Sequence, residues 1–154
     1  QYTVDLSRQT LNEQMSSLVP VIINSVNNIE RIGDHAVNLS SLTRTYLDKN
    51  LAFSEQALAD LQQIDHLIEA MFDAAVRSLN EDDAAAAYEA IQLEGKIDEL
   101  CRQVQNGHIQ RLEAGTCTIE SGVIYLDIVS YLERVADHIC KISQMSASSI
   151  HSFN

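Results

Sequence analysis

The stretch IERIGDH, Ile29 to His35, returns near the other end of the chain as LERVADH, Leu132 to His138. Each copy sits in apolar sequence with helical spacing and puts a Glu and an Asp four positions apart beside an Arg and a His. A step of about 100° per residue brings Glu30 and Asp34 within about 40° of each other, one turn apart on one helix face. Glu133 and Asp137 stand the same way in the second copy. In the first copy Ile22, Val26, Ile29, Ile32, Gly33, Ala36 and Val37 fill the adjoining arc, and in the second Val129, Leu132, Val135, Ala136, Ile139 and Cys140 do. The spacing therefore predicts that both carboxylate pairs border a core, with Gly33 and Ala136 letting a neighbouring helix approach closely.

Aligning Val21 with Ile124 superposes the two segments without a gap, at a period of about 100 residues that far exceeds solenoid repeats of roughly 20 to 50. Three helices with turns fit that spacing. Val21 to Asp48 is then the last helix of a partial repeat, and Ser54 to Ser146 a complete three-helix repeat. Apolar residues recur at helical spacing through four long segments, and no sustained alternating run suggests a strand. Pro20 predicts a kink or a restart in the first. Ser54 is expected to cap a second helix over Glu55 to Leu79, and Asn80 a third that ends near Glu113 before Gly115. Thr118 is expected to cap a fourth from about Ile119 to Ser146, with residues 147–154 as a frayed tail. Short connections force antiparallel neighbours. The fold class expected is a single all-α domain, an antiparallel up-down bundle of about four long helices.

Among 154 residues there is one Pro and no Trp, and the net charge is -12. Nucleic acid is excluded as a partner, because phosphate contacts need clustered Lys and Arg and only ten such residues are present. Direct lipid binding is disfavoured on the same ground. Cys101, Cys117 and Cys140 are odd in number and form no C-x-x-C pair, so reduced thiols are expected rather than a disulfide framework or a thiolate zinc site. No signal peptide is visible and no apolar run reaches the roughly 18 residues that span a bilayer. The missing initial Met suggests a piece of a larger protein.

Carboxylates at i and i+4 repel, more so when partly desolvated. A bound divalent or trivalent cation can offset that cost, as can Arg31 and Arg134. The spacing alone is cheap in an acidic helical protein, since it recurs at Glu69/Asp73 and Glu94/Asp98. The shared E-R-[IV]-[GA]-D-H context is what distinguishes the two motif pairs. His35 and His138 project about 100° from Asp34 and Asp137, which predicts exposed or capping roles. Tyr125 and Tyr131 read as packing residues. No His is preceded by Glu at the Glu-x-x-His spacing of ferritin-like di-iron proteins, and no phosphate loop, nucleophile elbow or H-E-x-x-H occurs. An enzyme is not expected.

ERIGDHAVN and ERVADHICK resemble the signature of PhoU-like domains, three-helix repeats of bacterial phosphate-regulation proteins. HIQRLEAGTCTIESGVIYLDIVSYLERVADH is more similar to the C-terminal cytoplasmic PhoU-like domain of bacterial sodium/phosphate cotransporters, and the resemblance runs from about residue 8 to 146. It implies paired three-helix bundles, multinuclear metal clusters on Glu-x-x-x-Asp surfaces and a regulatory role in phosphate uptake. Carried over by residue, the metal ligands are Glu30, Asp34, Glu133 and Asp137, with Asp127 as a further acid for the second site. Iron is the metal the resemblance favours; Mn, Mg or Zn also suit the donors. The implied partner is a membrane transport domain of the same or another chain, at the cytoplasmic face of the bacterial inner membrane. Separately, apolar strips left exposed on the first helix of a truncated chain make a homodimer plausible. Two departures bear on this. The first repeat lacks its first two helices, and Asn24 stands where the second has Asp127. Glu94 and Asp98, in the middle helix of the complete repeat, can face Glu133 across the bundle. The alternative left open is a metal-free helical-bundle interaction or oligomerisation module.

Overall fold

The apolar periodicity produces four helices, α1 (Tyr2–Asp48), α2 (Glu55–Glu81), α3 (Ala84–Glu113) and α4 (Ile119–Phe153). The computed structural model describes residues 2–153, and the side chains of residues 19–149. No strand occurs among the described residues, and the all-α bundle is as the periodicity predicts. Helix α1 runs unbroken through Pro20 instead of restarting there.

Helix ends follow local hydrogen-bond chemistry. Ser54 accepts from the Ala57 amide and starts α2. Thr118 accepts from the Ser121 amide at 3.2 Å and starts α4. Gly115, at φ 69°, takes the left-handed conformation just past α3 that L side chains resist. The boundary between α2 and α3 differs from expectation. Asn80 stays inside α2, Asp82 ends it at φ 52°, and Asp83 is the N-cap of α3, accepting from the Ala85 and Ala86 amides. Helix α4 continues past Ser146, and Ala147 is buried.

Helices α2, α3 and α4 pack pairwise, whereas α1 packs on α4 alone among the described residues. The core runs through Ile64, Met71, Ile97, Cys101, Tyr125 and Val129, all from the three-helix unit. Lys49, just past α1, pairs with Glu120 in the first turn of α4, pinning one end of the α1–α4 seam.

Where α4 begins, Gly122 is buried against α3. A Cβ there would lie 2.8 Å from Leu112 Cδ2 and 3.0 Å from His108 Nε2. Gly122→Val is therefore expected to cost about 1–3 kcal/mol by overpacking, less whatever the added helix propensity returns. Urea denaturation of the two proteins measures it; equal midpoints would mean that α3 and α4 are not this close.

His108 is buried against the Tyr125 ring, with centroids 4.5 Å apart, and its Nε2 has no hydrogen-bond partner within the protein. Burial, and then the Arg111 guanidinium, hold its pKa below the ordinary histidine value. The unfolded chain thus takes up a proton at His108 that the folded protein refuses. The stability that follows is present above the ordinary histidine pKa and is lost as pH falls from there toward the lowered one. Stability measured between pH about 7 and 5 should fall less steeply in His108→Phe than in the unaltered protein.

Candidate functional site

The repeated motif puts Glu133 and Asp137 one turn apart on α4, and α3 supplies Glu94 and Asp98 at the same spacing. These two acidic ladders face one another. With Ile97, Arg134 and Ala136 they line a cleft of about 190 Å³. Ala136 is buried in its lining, and its small side chain leaves space between the carboxylates. Burial, then Asp98, Asp137 and Glu133, push the Glu94 pKa above the ordinary carboxyl value.

Part of the negative charge is already matched. Lys141 Nζ donates to Asp137 Oδ2 at 2.7 Å, and Arg102 lies 3.0 Å from Asp98 and 2.6 Å from Glu99. The two nearby thiols are not ionised. Burial, with Glu133 and Asp98 adding to it, pushes Cys101 up to about 12, and burial with Glu94 and Asp137 pushes Cys140 up to about 11. The cleft therefore offers oxygen donors, a set that suits hard cations. Among the described residues no three His, Cys, Asp or Glu side chains converge closely enough to hold a metal ion in this arrangement. The donors fit a cation in kind, and the Lys141 and Arg102 pairs stand between two of them and the spacing that a chelate needs.

The first motif copy sits differently. Glu30 and Asp34 are exposed, as is Asp127, and none of the three lines the cleft. Asp34 lies 3.5 Å from Arg31 on the helix surface. The expectation that Glu30 and Asp34 border the core is overturned because, among the described residues, no second helix covers that side of α1. Ile22, Val26, Ile29, Gly33, Ala36 and Val37 are exposed with them. Among the described residues Gly33 has no neighbouring atom within 4 Å of where a Cβ would stand, so no described helix packs against it.

The motif histidines also depart from expectation. Neither caps a helix nor points fully into solvent. Both are half-buried where α1 crosses α4, with ring centroids 5.4 Å apart. In the register that aligns Val21 with Ile124, Asn28 is equivalent to Tyr131 and His35 to His138. The contacts obey that equivalence. His138 Nδ1 donates to Asn28 Oδ1 at 2.8 Å, and at the mated position Tyr131 lies 5.6 Å from His35, ring centre to ring centre. The two motif copies are thus related by a local two-fold axis through the histidine pair. Arg134 lies over the Tyr131 ring, 5.6 Å from its centroid. Burial comes first among the causes that hold both histidines below their ordinary pKa. No single-helix pattern could have predicted this pairing, because it depends on which helices meet.

The PhoU domain matches residues 61–146, most of α2, all of α3 and α4 through Ser146, which is the whole unit that builds the acidic cleft. The chain belongs to the PhoU domain family. Curated relatives of this PhoU-domain chain include the phosphate-specific transport system accessory protein PhoU homolog 1 of Thermotoga maritima, 25% identical over 117 residues, which make up 76% of this chain and 50% of the relative. The phosphate-specific transport system accessory protein PhoU homolog of Streptococcus pneumoniae is 26% identical over 123 residues, 80% of this chain and 56% of the relative. An uncharacterized protein of Deinococcus radiodurans is 24% identical over 135 residues, 87% of this chain and 48% of the relative. The chain spans about half the length of the curated relatives it matches. No solved structure matches it. Among the described residues no helix is long and apolar enough to cross a membrane.

Proposed function

We propose that this PhoU-domain chain is a regulatory module of phosphate uptake that takes up a hard metal cation between α3 and α4. The observation that carries the metal reading is the cleft in which Glu94, Asp98, Glu133 and Asp137 meet across the two helices. Burial and the three neighbouring carboxylates raise the proton affinity of Glu94, and a multivalent cation relieves that repulsion. Iron is the first candidate by family resemblance, with Mn, Mg and Zn as alternatives. Glu133 and Asp137 with Glu94 and Asp98 form the principal ligand set. Glu30 and Asp34 form a second, open-faced set on α1, and Asp127 is an outlying acid on the α4 surface. The phosphate-uptake role draws support from the family and from relatives named for phosphate-specific transport systems.

In this reading the module works at the cytoplasmic face of a bacterial inner membrane and contacts a membrane transport domain, that of a sodium/phosphate cotransporter on the same or a partner chain. We assign it no catalytic activity. The test is metal analysis of protein purified without chelator, beside Glu133→Ala/Asp137→Ala. Metal in the unaltered protein and none in the variant is the expected result. Equal content in both removes the cleft from the proposal.

A specific observation favours a second reading, a metal-free interaction module. Lys141 and Arg102 already neutralise Asp137 and Asp98. In that case the motif only sets packing, and added metal leaves the melting temperature where it was.

A further inference from the structure

The sequence repeat contains one departure that the acidic cleft leaves without a role. Asn24 stands where the second copy has Asp127, so α1 lacks a negative charge at that position in a chain whose net charge is -12. The structure places Asn24 on the wall of an open pocket of about 340 Å³ between α1 and α4. Val21, Asn24 and Asn28 line it from α1, and Lys141, Gln144 and Met145 from α4. Among the described residues no carboxylate is in that lining, and it holds one cation. The groove between α2 and α3 makes the contrast, because its lysine, Lys96, shares the lining with Glu99.

An anion needs a cation and hydrogen-bond donors, and in so acidic a chain it needs a place that carboxylates leave alone. Lys141 supplies the charge. Its Nζ lies 2.7 Å from Asp137 Oδ2, but both side chains are about half exposed, and such a pair contributes little. The flexible four-carbon stem lets the ammonium turn from Asp137 toward the pocket at small cost. The Asn24 carboxamide has no hydrogen-bond partner among the described residues, since only its backbone carbonyl accepts a bond from Asn28. The Gln144 amide is held by no more than a 3.5 Å contact to Cys140 Sγ. Asn28 is committed instead, to the Asn24 carbonyl at 2.7 Å and to His138 at 2.8 Å, and it braces the wall. Half-buried Val21 and Met145 shield one side from water, which strengthens charge-assisted bonds made there.

We propose that this pocket binds a small oxyanion, with Lys141 as its cation and the Asn24 and Gln144 carboxamides as its donors. In a regulatory module of phosphate uptake the anion to expect is inorganic phosphate or the phosphate group of a small ester, a choice that rests on that functional reading. Lys141 then serves two acids in turn. When it turns to the anion it leaves Asp137 without its counter-charge, and the cleft between α3 and α4 gains a free carboxylate for a cation. Anion and cation should therefore tighten each other's binding. The coupling rests on the metal reading, whereas the anion site does not.

The test is an amide NMR titration of chelator-treated, metal-free protein with inorganic phosphate and, separately, glycerol phosphate, to about 10 mM at constant ionic strength. Saturable shifts around Asn24 and Gln144 are expected, and the tighter ligand identifies the source of the phosphate group. Lys141→Ala removes the cation and Asn24→Asp restores the acid that the repeat would place there, and each should weaken binding at least about tenfold. Both positions are exposed on helix surfaces, so helical circular dichroism should stay that of the parent. Lys96→Ala removes a lysine outside the pocket and should bind as the parent does. A parent that binds neither ligand overturns the proposal. So does a pocket variant that binds undiminished, or a Lys96→Ala protein that weakens equally. Mg²⁺ added to the phosphate-binding parent should shift the Glu94 and Glu133 amides and lower the phosphate Kd by about fivefold or more. Shifted amides with an unmoved Kd overturn the coupling; amides that ignore Mg²⁺ count against the metal reading and not against the anion site.

Discussion

Replacing Tyr125 by alanine is expected to remove about 3–5 kcal/mol of unfolding free energy, out of the roughly 5–15 kcal/mol that a domain of this kind possesses. Tyr125 is the largest fully buried side chain in the described core. Its ring stacks on His108 and meets Phe53 edge-on with centroids 5.3 Å apart, so it joins α3, α4 and the loop before α2. Its hydroxyl donates to Asp60 Oδ2 at 3.4 Å, and Arg111 lies 3.6 Å from the same carboxylate. Truncation opens a cavity under three elements and leaves Asp60 and Arg111 half-buried with one partner fewer. Tyr125→Phe keeps the ring and loses only the long hydroxyl contact, for which about 0.5–1.5 kcal/mol is expected. Denaturant unfolding of both variants separates the terms. Equal losses would put the stabilisation in the hydroxyl; a loss in the alanine variant below about 1 kcal/mol would mean that the ring is not central to packing.

Tyr125 also indicates how far a single sequence reaches. Its helix follows from period and caps, and its packing role from its apolar neighbours. The ends at Ser54, Gly115 and Thr118 were readable because each has one side chain or one glycine suited to the task. The α2–α3 corner was not, since Asn80, Asp82 and Asp83 can all cap a helix. The backbone decides among them by turning left-handed at Asp82. Of the kink or restart expected at Pro20 the restart does not occur, since the proline's penalty is local and the helix on either side of it is long.

The same division runs through the candidate site. The acidic ladders of Glu94/Asp98 and Glu133/Asp137 are visible in sequence as i,i+4 pairs, and α3 and α4 bring them face to face. Glu30 and Asp34 have identical spacing, yet they stand on an open surface. Periodicity reports which residues share a face of one helix, and it is silent on whether another helix arrives to cover that face. The histidine pair has the same origin. His35 and His138 look peripheral on their own helices and become central only when α1 and α4 cross at the motif.

Adding a tightly bound metal to chelator-treated protein is expected to stabilise it by about 2.7 kcal/mol at a hundredfold excess over the dissociation constant, which for a chain of this length raises the melting temperature by roughly 5–10 °C. The gain should vanish in Glu133→Ala/Asp137→Ala and shrink in Glu94→Gln, because Glu94 lines the cleft and its charged form is disfavoured there by burial and by the neighbouring carboxylates. Lys141 decides between the two functional readings. Its ammonium occupies Asp137 at 2.7 Å and competes with any metal for that oxygen. If the cleft takes up a cation, Lys141→Ala removes the competitor, and the metal-induced rise should appear at lower metal concentration than in the parent. If the module is metal-free, the same variant loses only an exposed ion pair, melts close to the parent and ignores added metal. Because the Lys141 side chain is exposed and does not line the cleft, its removal leaves the packing of α3 on α4 intact, and any change in metal response reports on the carboxylates themselves.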